Sequence, residues 1–225
     1  IHVAGLVATL ALAFAAPASA DPYAFGKRTL EIPAPPGYVA VGKDVPGYMA
    51  FSQAYLPETN RLVEVFVPPA SKAALLAGTQ QRIPRYFQVQ VLRSLDGTPL
   101  SAGEFAAGMD EVEEGLNAQM ATLDEKAAEL SEQGNDAMGG QTKTELAIGG
   151  TQFHGITRRE PWGLFFTASL QVTIEQGGRT EVVRLYGGNA IVLVNHQLLY
   201  LYSYADAADA DARAVAEASA SAWAD

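Results

Sequence analysis

Apolar and polar positions alternate with period two at both ends of this chain and with period 3.6 in the middle, and each regime predicts a different element. Lys27 to Ile32 alternates and predicts a first strand, closed by Pro33-Ala34-Pro35-Pro36-Gly37. Tyr38 to Val41 predicts a short second strand, with a loop over Lys43 to Gly47. Met49 to Tyr55 and Arg61 to Val67 both suit strands, turned by Pro57-Glu58-Thr59-Asn60. Ser71 caps a short helix over Lys72 to Ala77, and Gly78 ends it. Tyr86 to Arg93 is the next strand, with Phe87, Val89 and Val91 on one face.

The period then lengthens. Ser101-Ala102-Gly103-Glu104 is a capping box, in which Ser and Glu each satisfy a free backbone N–H. It opens a single helix to about Glu132, whose apolar stripe runs Phe105, Met109, Val112, Leu116, Met120, Leu123, Ala127, Leu130. The opposite face is acidic, with Asp110, Glu111, Glu113, Glu114, Asp124, Glu125, Glu129 and Glu132. Gly134 to Gly140 reads as a flexible loop.

Period two then returns as three hairpins. Thr142 to Ile148 and Thr151 to Arg159 flank Gly149-Gly150, and Leu164 to Gln176 and Arg179 to Tyr186 flank Gly177-Gly178. Ala190 to Val194 and Gln197 to Tyr204 flank Asn195-His196, because Asn tolerates the left-handed turn conformation. Asp206 caps a last helix over Ala207 to Trp223. The expected fold class is α+β: an antiparallel sheet packed by a long amphipathic helix and a C-terminal helix, with an α/β/α sandwich as its layered form.

Val3 to Ala16 stands apart, being apolar, too short to span a bilayer, and followed by Pro17-Ala18-Ser19-Ala20. Ala18 and Ala20 make an Ala-x-Ala cleavage site, so residues 1–20 are expected to be a signal peptide and residues 21–225 one domain. The start at Ile1, without Met or a basic segment, reads as an N-terminally truncated leader. No later segment supplies a membrane helix. The expectation is a periplasmic or secreted soluble protein.

Composition narrows the chemistry. Lys+Arg total 15 against Asp+Glu 25, a net charge of −10, and this excludes the basic stripe of a nucleic-acid binder. The absence of cysteine excludes disulfides, thiolate metal sites and cysteine nucleophiles. Ser94-Leu95-Asp96-Gly97-Thr98 resembles the Asp-x-Asp-Gly-Thr loop of haloacid-dehalogenase-like phosphatases, but Ser94 stands where that chemistry needs a carboxylate nucleophile. A turn is the favoured reading. His154 and His196 are the available bases, and no Gly-x-Ser-x-Gly elbow accompanies them. Asp206, Asp209 and Asp211 lack the glycine of a calcium loop and read as helix-terminal acids. The glycine pairs at 139-140, 149-150, 177-178 and 187-188 lack nucleotide-binding spacing. No catalytic residue, metal ligand or cofactor is predicted.

Tyr200, Tyr202 and Tyr204 share one face of the last strand, with Leu199 and Leu201 on the other. Helix packing is the favoured use of that stripe. Should a ligand bind, these rings are the first candidates to line its site.

Ile32-Pro33-x-Pro35-Pro36-Gly37-Tyr38, an alternating strand and then Asn60-Arg61-Leu62-Val63-Glu64-Val65 resemble the opening of PsbP-like domains. The resemblance covers the general layout of residues 27–223 and rests on short motifs. It implies an α/β/α sandwich and an accessory or binding role without a shared catalytic set, so no site residue carries over. The leading functional expectation is therefore an exported, non-catalytic accessory or binding protein with an unknown protein or small-molecule partner. The alternatives are a hydrolase-type enzyme whose site converges only in three dimensions, and an interaction module using the acidic helix.

Overall fold

A computed structural model describes residues 21–79, 82–120, 122–139 and 144–225. The expected leader lies outside these residues, as do the side chains of Leu116, Met120 and Leu123 on the expected stripe. The elements in chain order are β1 (Asp21–Phe25), β2 (Arg28–Ile32), β3 (Val39–Ala40), α1 (Pro46–Ala54), β4 (Asn60–Val67), α2 (Pro69–Leu76) and β5 (Arg85–Leu92). They continue as α3 (Ala102–Met120), α4 (Leu123–Met138), β6 (Thr144–Glu160), β7 (Gly163–Gln176), β8 (Arg179–Val194), β9 (Gln197–Asp206) and α5 (Ala212–Ala224). β1 and β2 form their own hairpin, and the other strands make one sheet in the order β3-β4-β5-β9-β8-β7-β6. Its neighbours are all antiparallel, and helices pack on it, so the fold is α+β.

The pleat sorts the core onto two faces. On one, Phe87, Val89 and Val91 of β5 meet Leu199 and Leu201 of β9, beneath the β1–β2 hairpin and Trp223 of α5. On the other, Phe105 and Met109 of α3 cover Leu164, Ile191 and Leu198. Farther along that second face, Val41, Leu62, Val65 and Val67 lie under Tyr48 and Met49 of α1 and Leu75 of α2. Among the described residues no helix is long and apolar enough to cross a membrane.

Several turns fall where the sequence puts them. Gly177-Gly178 and Asn195-His196 both carry positive φ at each residue, the geometry a two-residue hairpin requires. The capping box closes as expected: the Ser101 N–H donates to Glu104 Oε2 at 2.8 Å, and the Glu104 N–H donates to Ser101 Oγ at 3.2 Å.

Several expectations are corrected. Ser71 does not cap α2, which starts at Pro69 and holds Ser71 in its first turn. Met49 to Ala54 is helical, not extended, with Tyr55 as its C-cap: Pro46 starts α1, and Tyr48, Phe51, Ser52 and Tyr55 recur at the spacing of one helical face. The long helix is two, and the second runs through the expected Gly134–Gly140 loop as far as Met138. It continues because Ala127, Ser131, Gly134 and Met138 form a buried stripe. A Cβ at Gly134 would collide with the Tyr55 ring. Gly149-Gly150 does not turn the chain, because β6 runs straight through it with a register shift between Gly149 and Gln152 and a positive φ at Gly150. Gly187-Gly188 likewise lies within β8, so Arg179 to Tyr186 and Ala190 to Val194 are one strand. The last helix begins at Ala212, and Asp206 stays in β9, its Oδ1 accepting from the Ala208 N–H at 2.9 Å.

Candidate functional site

β8 is longer than its neighbour. β9 ends with Asp206 opposite Leu185, so the first residues of β8 pair only with β7 and project past β9 with β6 and β7. On one face of this projection the register aligns aliphatic side chains across three strands, Ile148 beside Val172 beside Val183, with Leu146 beside Ile174 and Leu170 beside Leu185. The α1 face carrying Tyr48, Phe51, Ser52 and Tyr55, together with Leu75 and Ile83, stands opposite. The two walls enclose a half-open cavity of about 770 Å³, reached at the sheet centre by Tyr86, Gln88 and Tyr204.

The outer wall is held by α4. β6 is an edge strand with free backbone donors. Asn135 Oδ1 accepts from the Leu146 N–H at 2.9 Å, Ser131 Oγ from the Ile148 N–H at 2.8 Å, and Asp124 Oδ1 from the Thr151 N–H at 2.9 Å. Asn135 Nδ2 returns a bond to the Leu146 carbonyl at 2.9 Å. The Tyr55 hydroxyl donates to Asn135 Oδ1 at 2.8 Å, which ties α1 to the same anchor.

Of the cavity tyrosines, Tyr48, Tyr86 and Tyr204 are half-buried and Tyr55 is buried. Burial pushes the Tyr48 phenol up to about 12, partly opposed by its hydrogen bond with Ser52. Burial also raises Tyr86 well above the usual phenol range, with Tyr204 and Tyr48 adding to it. Tyr204 is raised by burial as well. These groups stay neutral and remain O–H donors. At the rim, Arg82 Nη2 lies 2.5 Å from Asp206 Oδ2 and Nη1 lies 2.6 Å from Glu181 Oε1.

The tyrosine stripe divides along its length. Tyr204 lines the cavity and stacks on Tyr86, with ring centroids 4.8 Å apart. Tyr202 stacks on Tyr204 at 6.0 Å, and Tyr200 packs into the cluster beneath α3. The α1 aromatics and the aliphatic ladder of β6 to β8 are missed by sequence reasoning. The i, i+3, i+4, i+7 spacing from Tyr48 was the signal available for the first of these.

Other candidates take structural places. Asp96 accepts from Arg61 Nε at 2.6 Å, and Gly97, at φ +76°, donates to Gln197 Oε1 at 3.0 Å, so the phosphatase-like segment is a packed turn. Arg85 holds Asp209 at 2.9 Å and Asp211 at 3.3 Å. No group of three or more metal-ligating side chains is found among the described residues. His154 Nε2 lies 3.0 Å from Ser169 Oγ, but Ser169 is buried at 3% exposure. His196 Nδ1 lies 3.0 Å from the Leu100 carbonyl oxygen. On the expected acidic face, Arg159 pairs with Asp110 at 2.6 Å and Glu113 at 3.8 Å.

The chain matches no model of a known protein family and no curated protein sequence.

Proposed function

We propose that this chain is an exported accessory protein that binds a lipophilic small molecule between α1–α2 and the projecting ends of β6, β7 and β8. The observation that carries the reading is the cavity itself. Its volume of about 770 Å³ lies in the range typical of small-molecule sites, and its walls are mainly aliphatic and aromatic. Such a surface contributes about 0.8 kcal/mol for each ligand methylene it removes from water. Binding rather than chemistry is supported by the polar groups that line it: phenols, the hydroxyls of Ser52, Thr79 and Thr144, the amides of Gln88 and Gln176, and an arginine already paired with two carboxylates. The Val3–Ala16 run and the Ala18-x-Ala20 site support a periplasmic or secreted location. The Pro-Pro-Gly-Tyr opening supports a PsbP-like relationship.

Titration with N-phenyl-1-naphthylamine, which fluoresces in apolar surroundings, tests the reading. Saturable binding to the full chain is expected. Val172→Trp, which fills the aliphatic wall, should abolish that binding while leaving the far-ultraviolet circular dichroism of the fold. Equal probe affinity in the variant and the parent would sink the proposal.

A further inference from the structure

Three amides form a one-way chain across the cavity face. Thr59 Oγ1 donates to Asn60 Oδ1 at 3.0 Å, Asn60 Nδ2 donates to Gln90 Oε1 at 3.0 Å, and Gln90 Nε2 donates to Gln88 Oε1 at 3.1 Å. Each carbonyl is used by the donor before it, a hydroxyl at Asn60 and an amide at Gln90 and Gln88. Gln88 therefore reaches the cavity with its acceptor occupied and its NH2 unspent, while being only 8% exposed. No acceptor for that NH2 is found among the described residues. Tyr86 and Tyr204, paired across β5 and β9, stand one register step away, and their hydroxyls likewise have no protein partner among the described residues. The apolar hollow thus ends in a cluster with more donors than acceptors.

Resting on the cavity reading above, we infer that the ligand is a neutral lipophile carrying a carbonyl acceptor, an ester, amide or ketone, which Gln88, Tyr86 and Tyr204 receive at the sheet end of the cavity. Buried donors left without acceptors are costly, so a ligand that brings an acceptor gains over an equally apolar one that does not. A carboxylate brings acceptors too, but it also brings a charge. The cationic group among the named lining residues is Arg82, which is already in contact with Glu181 and Asp206. An anion entering beside two carboxylates is desolvated without a free counter-charge, and the neutral carbonyl is favoured.

Displacement of bound N-phenyl-1-naphthylamine from the full chain by three probes of matched length provides the test. These are methyl decanoate, undecane, and decanoate at pH 7.5, where it is the carboxylate. Methyl decanoate should displace the dye at a concentration about tenfold lower than either of the others, the scale of one satisfied buried donor. Gln88→Leu should abolish the ester's advantage over undecane. Tyr86→Phe/Tyr204→Phe, which keeps both rings, should reduce it severalfold and serves if Gln88→Leu fails to fold. Equal potency of ester and alkane in the parent chain overturns the inference while leaving the cavity reading intact. So does stronger displacement by decanoate. Absence of dye binding in the parent overturns both.

Discussion

β5 and β9 serve two masters through alternate residues. The residues facing α5, Phe87, Val89, Val91, Leu199 and Leu201, are nearly inaccessible and sit in one continuous core. Trp223 of α5 meets Phe66 and Phe87 edge-on, with centroids 5.5 and 5.2 Å away. The residues facing the other way include Tyr86, Gln88 and Tyr204, and they border a hollow. Period-two alternation thus lets one pair of strands spend one face on cohesion and the other on recognition. The lesson is a division of energetic roles. Substitutions on the α5 face should be felt in stability, and substitutions on the cavity face in what binds.

The largest test of that division is Gly188→Val. Gly188 sits in β8 where the backbone of α5 comes closest, and a Cβ there would collide with the Ala216 carbonyl. Backbone on both sides leaves no side chain to swing away, so α5 must lift off the sheet. A loss beyond about 4 kcal/mol is expected from the urea midpoint, within the class of severe packing defects. A midpoint like that of the parent would mean the α5 face is not closed as described.

A matched pair sharpens the contrast at intermediate size. Phe87→Ala opens a void in the packed core and should cost about 3–5 kcal/mol. Tyr204→Phe, across the sheet, removes a hydroxyl without a hydrogen-bond partner among the described residues, and should change stability by less than about 1 kcal/mol. Comparable losses in urea denaturation for the two variants would erase the distinction between the faces.

What the sequence made legible follows the same division. Strand alternation identified Phe87, Val89 and Val91 as one face, and both hairpin turns with two positive-φ residues were readable from Gly-Gly and Asn-His. The glycine pairs inside β6 and β8 were misread because a bulge and a close helix approach ask for the same residue as a turn does. Contacts remote in sequence decide between them: at Gly188 it is the Ala216 carbonyl of α5, and at Gly149-Gly150 the shifted pairing with β7. The α1 segment was misread because Met49, Phe51 and Tyr55 also fit alternation, and nine residues are too few for either period to dominate. The continuation of α4 through Gly134 depended on Tyr55, nearly eighty positions away. Of the candidate site, Tyr204 was within reach of sequence because it lies in a stripe. The cavity was not, because it arises from unequal strand lengths and from a helix taken for a strand.

The smallest effect near neutrality concerns how the two faces respond to pH. His154 lies on the α5 side, beside Ser169 and Tyr186, and its pKa is lowered first by burial and then by the Arg213 charge. Below about 6.5 the unfolded chain takes up this proton before the folded one does. Its contribution is therefore present above pH 6.5 and is lost as pH falls through the depressed folded value. The cavity face does the reverse. Tyr48, raised to about 12, keeps its proton in the fold after the unfolded chain has begun to lose it near 10. Stability on that account holds below pH 10 and declines as pH rises toward 12. His154→Gln should flatten the fall of the urea midpoint between pH 7 and 5 and leave the alkaline limb alone, whereas Tyr48→Phe should make the alkaline limb shallower, Tyr86 and Tyr204 carrying the rest, and leave the acid one. If either variant moved both limbs equally, the two faces would not be titrating as separate environments.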